Sequence, residues 1–154
     1  MFSFFSKKPK KEAAKPYFPV STDIHSHILP GIDDGSPDVE TSIMLIKGLM
    51  EMGPKQVVIT DGKRGAYTIF GNFLYHVIPN STNSVETTGA GDAFASTFLA
   101  CQIKKKDMET SLKLASKNAQ SVISQKGAKK GLLDWKHLIL SLKKNPVKLV
   151  KERI

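Results

Sequence analysis

One stretch constrains this chain more than any other: Glu86-Thr87-Thr88-Gly89-Ala90-Gly91-Asp92-Ala93-Phe94. A β-like segment, Phe73 to Ile78, and a polar loop run into it, and an apolar helical pattern runs out of it. Gly89 and Gly91 lack Cβ atoms, so the backbone can turn sharply and aim several N–H groups at one anion. The N-terminus of the following helix adds its unpaired N–H groups and the positive end of its dipole. Asp92 falls on the first turn of that helix, beside the place where an anion would be held. A carboxylate in that position suits a general base that removes a hydroxyl proton during phosphoryl transfer. The same residues also fit a plainer reading: a Thr N-cap, a glycine turn and an acidic first-turn residue.

The run Thr87 to Phe94 resembles the C-terminal signature of the ribokinase-like (PfkB) carbohydrate kinases. Outlying pieces carry the likeness from about Lys55 to about Leu133: Val57-Val58-Ile59-Thr60-Asp61-Gly62-Lys63-Arg64-Gly65-Ala66 upstream, and Asn118 through Gly127-Ala128 downstream. The resemblance implies that Asp92 is the catalytic base and that Thr88, Gly89, Ala90 and Gly91 form the anion hole. It also implies nucleotide contacts from Thr60 and Gly62, a place near the adenine for Asn118, and ATP with Mg2+ as the phosphoryl donor. Many members carry Asp where this chain has Glu86, near a monovalent-cation site.

Composition narrows the partners. The 154 residues fit one domain able to bury a core, and 40% hydrophobic with 24% charged residues is ordinary for a globular chain. A formal charge of +9 favours anionic partners such as nucleotides or small phosphorylated molecules. The lysines are scattered in clusters with no basic stripe interleaved with aromatics, which argues against nucleic acid. The one cysteine, Cys101, excludes an internal disulfide and lies on the apolar face after the motif, so core packing and a reducing cytoplasmic compartment are expected. No apolar run has the length of a membrane span.

Residues 1–17, with Phe2, Phe4, Phe5 and five lysines, read as a basic solvated tail, or more sharply as a weak contact for an anionic membrane. Residues 20–25 then read as a strand broken at Pro30-Gly31. If it extends through His27, His25 and His27 share one face and Asp34 can come near, which suits a metal ion. The stretch Asp23 to Gly35 resembles the opening of the PHP-type metal-dependent tyrosine-protein phosphatases. That resemblance implies His25, His27 and Asp34 as ligands of Mn2+ or Zn2+. It continues through a helix with Val39, Ile43, Ile46, Leu49 and Met50 on its apolar face and ends at Gly53; the later ligands of that family have no matching motif here.

From Pro54 onward the chain reads as a strand at Gln56–Thr60, a hairpin of Ala66–Phe70 and Phe73–Ile78 around Gly71-Asn72, and helices near 91–103, 108–125 and 134–142. A further helix is expected from Val147. On the second helix Leu112, Leu114, Ala115, Ala119, Val122 and Ile123 form the core face, with Lys113 and Lys117 toward water. Leu133, Trp135, Leu138, Ile139 and Leu142 form a packing stripe.

The expectation is a single compact α/β domain, a partial ribokinase-like (Rossmann-like) layer with a mixed, mainly parallel sheet, a hairpin and packed helices. Its organisation is a tail at 1–17, a phosphatase-like segment at 18–53, a kinase-like part at 54–142 and a basic tail or helix at 143–154. The expected function is ATP or phosphate binding at the glycine turn. Phosphoryl transfer to a sugar hydroxyl would need the substrate-gripping region that the resemblance places elsewhere, since positioning can supply roughly 7–11 kcal/mol of the barrier. A metal-dependent phosphoesterase and a non-catalytic folded chimera are the alternatives.

Overall fold

The computed structural model describes residues 39–81 and 83–154. In chain order these form α1 (Val39–Glu51), β1 (Val58–Thr60), a 3-10 turn (Gly62–Arg64), β2 (Ala66–Phe70), β3 (Phe73–Ile78), α2 (Ala90–Ile103), α3 (Met108–Ile123), α4 (Trp135–Lys144) and β4 (Lys148–Arg153). The strands make one four-stranded sheet in the order β1-β2-β3-β4.

Alternation along the strands sorts the two faces of the sheet. The register pairs Val58 with Thr68, Thr68 with Tyr75, and Ala66 with Val77, so these side chains share one face. Against that face pack Phe94 of α2 and Met108, Leu112 and Ala115 of α3, with Val147 closing the cluster. The intervening positions Ile59, Tyr67, Ile69 and Leu74 point the other way, onto Ile46 and its neighbours on α1. The α4 helix covers the far side of α3 through Leu138, Leu114 and Cys101. The result is helix, sheet and helices in layers, with the hairpin around Gly71-Asn72 and the three later helices where the sequence pattern predicts them.

Three expectations are corrected. Among the described residues every strand pair is antiparallel, where a mainly parallel sheet was expected. Only residues 61–65 join β1 to β2, too few for the crossover that a parallel pair needs. The segment from Val147 is a strand instead of a helix: Pro146 cannot extend α4, and Lys148–Arg153 pairs along the whole of β3. Lys117, expected in water, is only 8% exposed. Its ammonium is desolvated there, and its pKa falls below the ordinary lysine value.

His25, His27, Asp34 and the strand expected at 20–25 lie outside the described residues. Ile43, Leu45, Leu49 and Met50 of α1 pack into the same cluster as Ile59 and Leu74.

Candidate active site around the glycine turn

The turn after Thr88 is built on a backbone only glycine adopts readily. Gly89 has φ +83° and caps α2, where it offers no side chain to the first-turn N–H groups. The Ala90 N–H donates to the Thr87 carbonyl at 3.2 Å and the Ala93 N–H to the Gly89 carbonyl at 2.9 Å, so the chain enters the helix within one turn. An added Cβ at Gly89 would lie 2.8 Å from both the Cβ and the carbonyl oxygen of Ala128. At Gly91 the same construction meets nothing within 4 Å. One glycine is therefore demanded by the fold, whereas the other leaves open space at a helix N-terminus. Asp92, exposed on the first turn, carries the carboxylate at that mouth.

The turn is fixed from outside by the end of α3 and the segment that follows it. The Val85 and Glu86 N–H groups both donate to the Ile123 carbonyl, at 2.8 and 3.3 Å. The Glu86 carboxylate accepts the Gly127 N–H at 2.9 Å. Asn118 braces the same region from within. Its Nδ2 donates to Thr97 Oγ1 at 2.8 Å, and its Oδ1 accepts the Leu133 N–H at 3.0 Å. Asn118 is 6% exposed, so its amide ties α2, α3 and the approach to α4 together.

Thr60 ends β1 and pairs with Ala66, which puts it on the sheet face that carries α2 and α3. Gly62 opens the 3-10 turn that follows. That turn has an anchor the sequence reading missed. The Asp61 side chain, 2% exposed, accepts a two-pronged pair of bonds from Arg64, Nε at 2.6 Å and Nη2 at 2.8 Å. Opposite charges three residues apart were the available signal. His76 stacks on Tyr67 with ring centroids 4.0 Å apart and bonds the Arg64 carbonyl through Nε2 at 2.7 Å. Burial, with the Asp61 charge nearby, pushes the Tyr67 hydroxyl up.

Gly89, Ala90, Gly91 and Asp92 thus lie together at the start of α2, Asn118 meets α2 further along at Thr97, and Thr60 lies on the sheet face that carries α2 and α3. Thr88 is exposed just ahead of the turn. Among the described residues no group of three or more His, Cys, Asp or Glu could hold a metal ion. His137 is engaged with Asp134, Nδ1 to Oδ2 at 2.7 Å. Cys101 is fully buried, and desolvation raises its thiol pKa, as expected of packing. No helix among the described residues is long and apolar enough to cross a membrane.

Comparison with known proteins places the chain in a family. The sequence profile of the pfkB family carbohydrate kinases matches residues 28–135. The match begins well upstream of Lys55 and takes in residues 28–53, the larger part of the stretch read as phosphatase-like. An uncharacterized sugar kinase of Archaeoglobus fulgidus is 40% identical over 83 residues, 54% of this chain and 33% of that protein. A crystal structure of a protein assigned as ribokinase II from E. coli, in complex with ATP and Mg2+, superposes with a TM-score of 0.64 at 25% identity, covering 75% of this chain and 37% of that one. Arabidopsis thaliana ribokinase complexed with ribose and ATP gives 0.59 at 27% identity, covering 70% and 35%. The chain therefore spans about a third of the length of these proteins.

Proposed function

We propose, from the premise that this chain belongs to the pfkB family of carbohydrate kinases, that it carries the family's phosphate-binding turn and catalytic base. The observation that carries the reading is the uncapped N-terminus of α2, entered through Gly89 at φ +83°, with open space at Gly91 and a carboxylate at Asp92. Backbone N–H groups at such a turn favour an anion through direct hydrogen bonds and the helix dipole together. A nucleotide triphosphate would lay its terminal phosphates against residues 89–91, with Thr60, Gly62 and Thr88 at the rim. Mg2+ bound with the nucleotide would neutralise phosphate charge as the bond to the leaving group breaks.

Asp92 acts on the acceptor. Its carboxylate takes the proton of a sugar hydroxyl as that oxygen bonds to the γ-phosphorus, and ADP leaves with the bridging oxygen. Asn118, with its amide engaged by Thr97 and Leu133, supports the nucleotide side by fixing the segment beneath it. Transfer further requires that the acceptor be held in line, so the sugar-binding surface completes the activity.

The test is calorimetric titration with Mg2+–ATP, paired with sugar-dependent ADP release over a panel of sugars and nucleosides. Asp92→Asn keeps the shape of the turn and removes the base. ATP affinity should stay the same or rise slightly, because a negative charge beside the phosphates is gone, while any transfer falls by about 10²–10⁴-fold. Equal transfer by the parent and Asp92→Asn refutes the role of Asp92. Absence of Mg2+–ATP binding by the parent refutes the reading as a whole.

A further inference from the structure

We infer that Glu86 is a positioning residue, a clamp whose carboxylate holds the glycine turn in its anion-binding shape by seizing the main chain of the 127–128 segment. The inference rests on the phosphate-site reading above and adds to it the part that makes the turn rigid.

The turn's own helix does not determine its position. Gly89 lies in the left-handed region, where the backbone has many alternatives once glycine is present. Three contacts remove them, and they reach the last residue of α3 and the segment that follows it. The first is the pair of N–H groups of Val85 and Glu86 on the Ile123 carbonyl. The second is the close packing of Gly89 on Ala128, tight enough that no Cβ fits between them. The third is the only hydrogen bond of these made by a side chain: Glu86 Oε2 accepting the Gly127 N–H at 2.9 Å, across 41 residues of sequence. Glu86 is half-buried, so water competes less for this charge-assisted bond than at the open surface. Without it, the Gly127 N–H loses its acceptor and Ala128 its fixed distance from Gly89. The N–H groups after Gly89 then sample directions other than the one that meets a phosphate. A binding turn made of backbone cannot be tuned by its own side chains, so preorganisation has to come from a neighbour.

Glu86→Ala removes the acceptor, and Glu86→Gln keeps the length and an oxygen that can still accept the Gly127 N–H. Two quantities are measured on the full chain: amide exchange of Gly127 by NMR, and affinity for Mg2+–ATP by calorimetry well below the unfolding temperature. In Glu86→Ala, Gly127 exchange should quicken and ATP bind more weakly, each by about tenfold, the scale of one charge-assisted hydrogen bond. Glu86→Gln should restore both most of the way. A role in general stability alone would lower the melting temperature and leave the affinity of the folded protein unmoved, and that result overturns the inference. Unchanged Gly127 exchange in Glu86→Ala overturns it too, as does a Gln variant no better than Ala. A parent that binds Mg2+–ATP with Gly127 unprotected overturns the clamp alone. A parent that protects Gly127 but binds no Mg2+–ATP overturns the phosphate-site reading and, with it, the positioning role.

Discussion

Replacing each glycine of the turn by alanine should separate folding from binding, because the two positions have opposite surroundings. At Gly89 the backbone has φ +83°, where an L-residue costs about 1–2 kcal/mol. The new methyl would also sit 2.8 Å from the Ala128 Cβ and carbonyl oxygen, well inside the 3.5–4.0 Å of ordinary carbon contact. Ala128 cannot swing aside, since the obstacle includes main chain and its neighbour Gly127 is bonded to Glu86. Relieving such an overlap typically costs about 1–3 kcal/mol. The sum is roughly 2–5 kcal/mol, which lowers the melting temperature of a chain this size by about 5–15 °C. Gly91 has helical backbone and nothing within 4 Å of a Cβ. Gly91→Ala should therefore gain about 0.5–1 kcal/mol in helix stability. That same open space is where the phosphate is expected, so Mg2+–ATP affinity should fall about tenfold or more, equivalent to roughly 1.4 kcal/mol. Thermal unfolding followed by circular dichroism and calorimetric titration give both numbers on the same samples. A Gly89→Ala protein as stable as the parent would refute the strain argument. A stable Gly91→Ala protein with undiminished affinity would refute the location of the anion.

Asp107 caps α3, accepting the Thr110 N–H at 2.8 Å and its hydroxyl at 2.7 Å, and these bonds hold its carboxyl below the usual range. Asp107→Ala should cost about 1 kcal/mol near neutrality; because the folded pKa is depressed, the difference from the parent shrinks as pH falls below about 4 and vanishes beneath the folded value, which acid-dependent melting will show. Lys117→Met should stabilise on the order of 1 kcal/mol at pH 7 by removing a desolvated charge. With the lysine's folded pKa lowered, the parent gains stability relative to Met as pH rises through that value toward 10.5, so the gap between the two melting curves narrows in alkali; the Tyr67 hydroxyl, present in both, cancels. Asn118→Ala leaves the partly buried Leu133 N–H without its acceptor and should destabilise by about 1–3 kcal/mol, read by chemical denaturation.

What could be read in the sequence and what could not divides along a physical line. The hairpin of Ala66–Phe70 and Phe73–Ile78 was legible because alternation and a Gly-Asn turn are local signals. The apolar faces of α1 and α3 followed from a 3.6-residue period, and α4 from its stripe. The last strand was hidden because Lys148, Lys151, Glu152 and Arg153 dilute any alternation, and what selects a strand there is the edge of β3, a partner 70 to 80 residues earlier. Strand direction was partly available: a connection as short as Asp61–Gly65 already implies an antiparallel pair. Asn118 was also readable as a brace, since it lies four residues from both Leu114 and Val122 on the buried stripe. Lys117 escaped the same logic, its position on α3 suggesting a solvent face that the tertiary structure covers. The Glu86 bond to Gly127 had no local signal at all.

The segment between Ile123 and Leu133 shows why a site made of backbone is harder to read than one made of side chains. Its Ile123 carbonyl, Gly127 N–H, Ala128 and Leu133 N–H are the groups that meet Val85, Glu86, Gly89 and Asn118. Gly131 approaches α3 so closely that a Cβ there would fall 2.2 Å from the Ser121 carbonyl oxygen. The wall that shapes the turn is thus also a packing partner of the helix that supports the sheet. Residue types along it are constrained by close approach, and the groups it offers the proposed site are main-chain groups that every residue has. On the proposed reading, anion binding at this turn depends on geometry set by Glu86, Ala128 and Asn118, none of which need touch the anion. A ligand that binds only this ordered arrangement stabilises the chain by mass action. Such stabilisation should be strongest in exchange rates of the 123–133 amides, where the turn and the fold share the same hydrogen bonds.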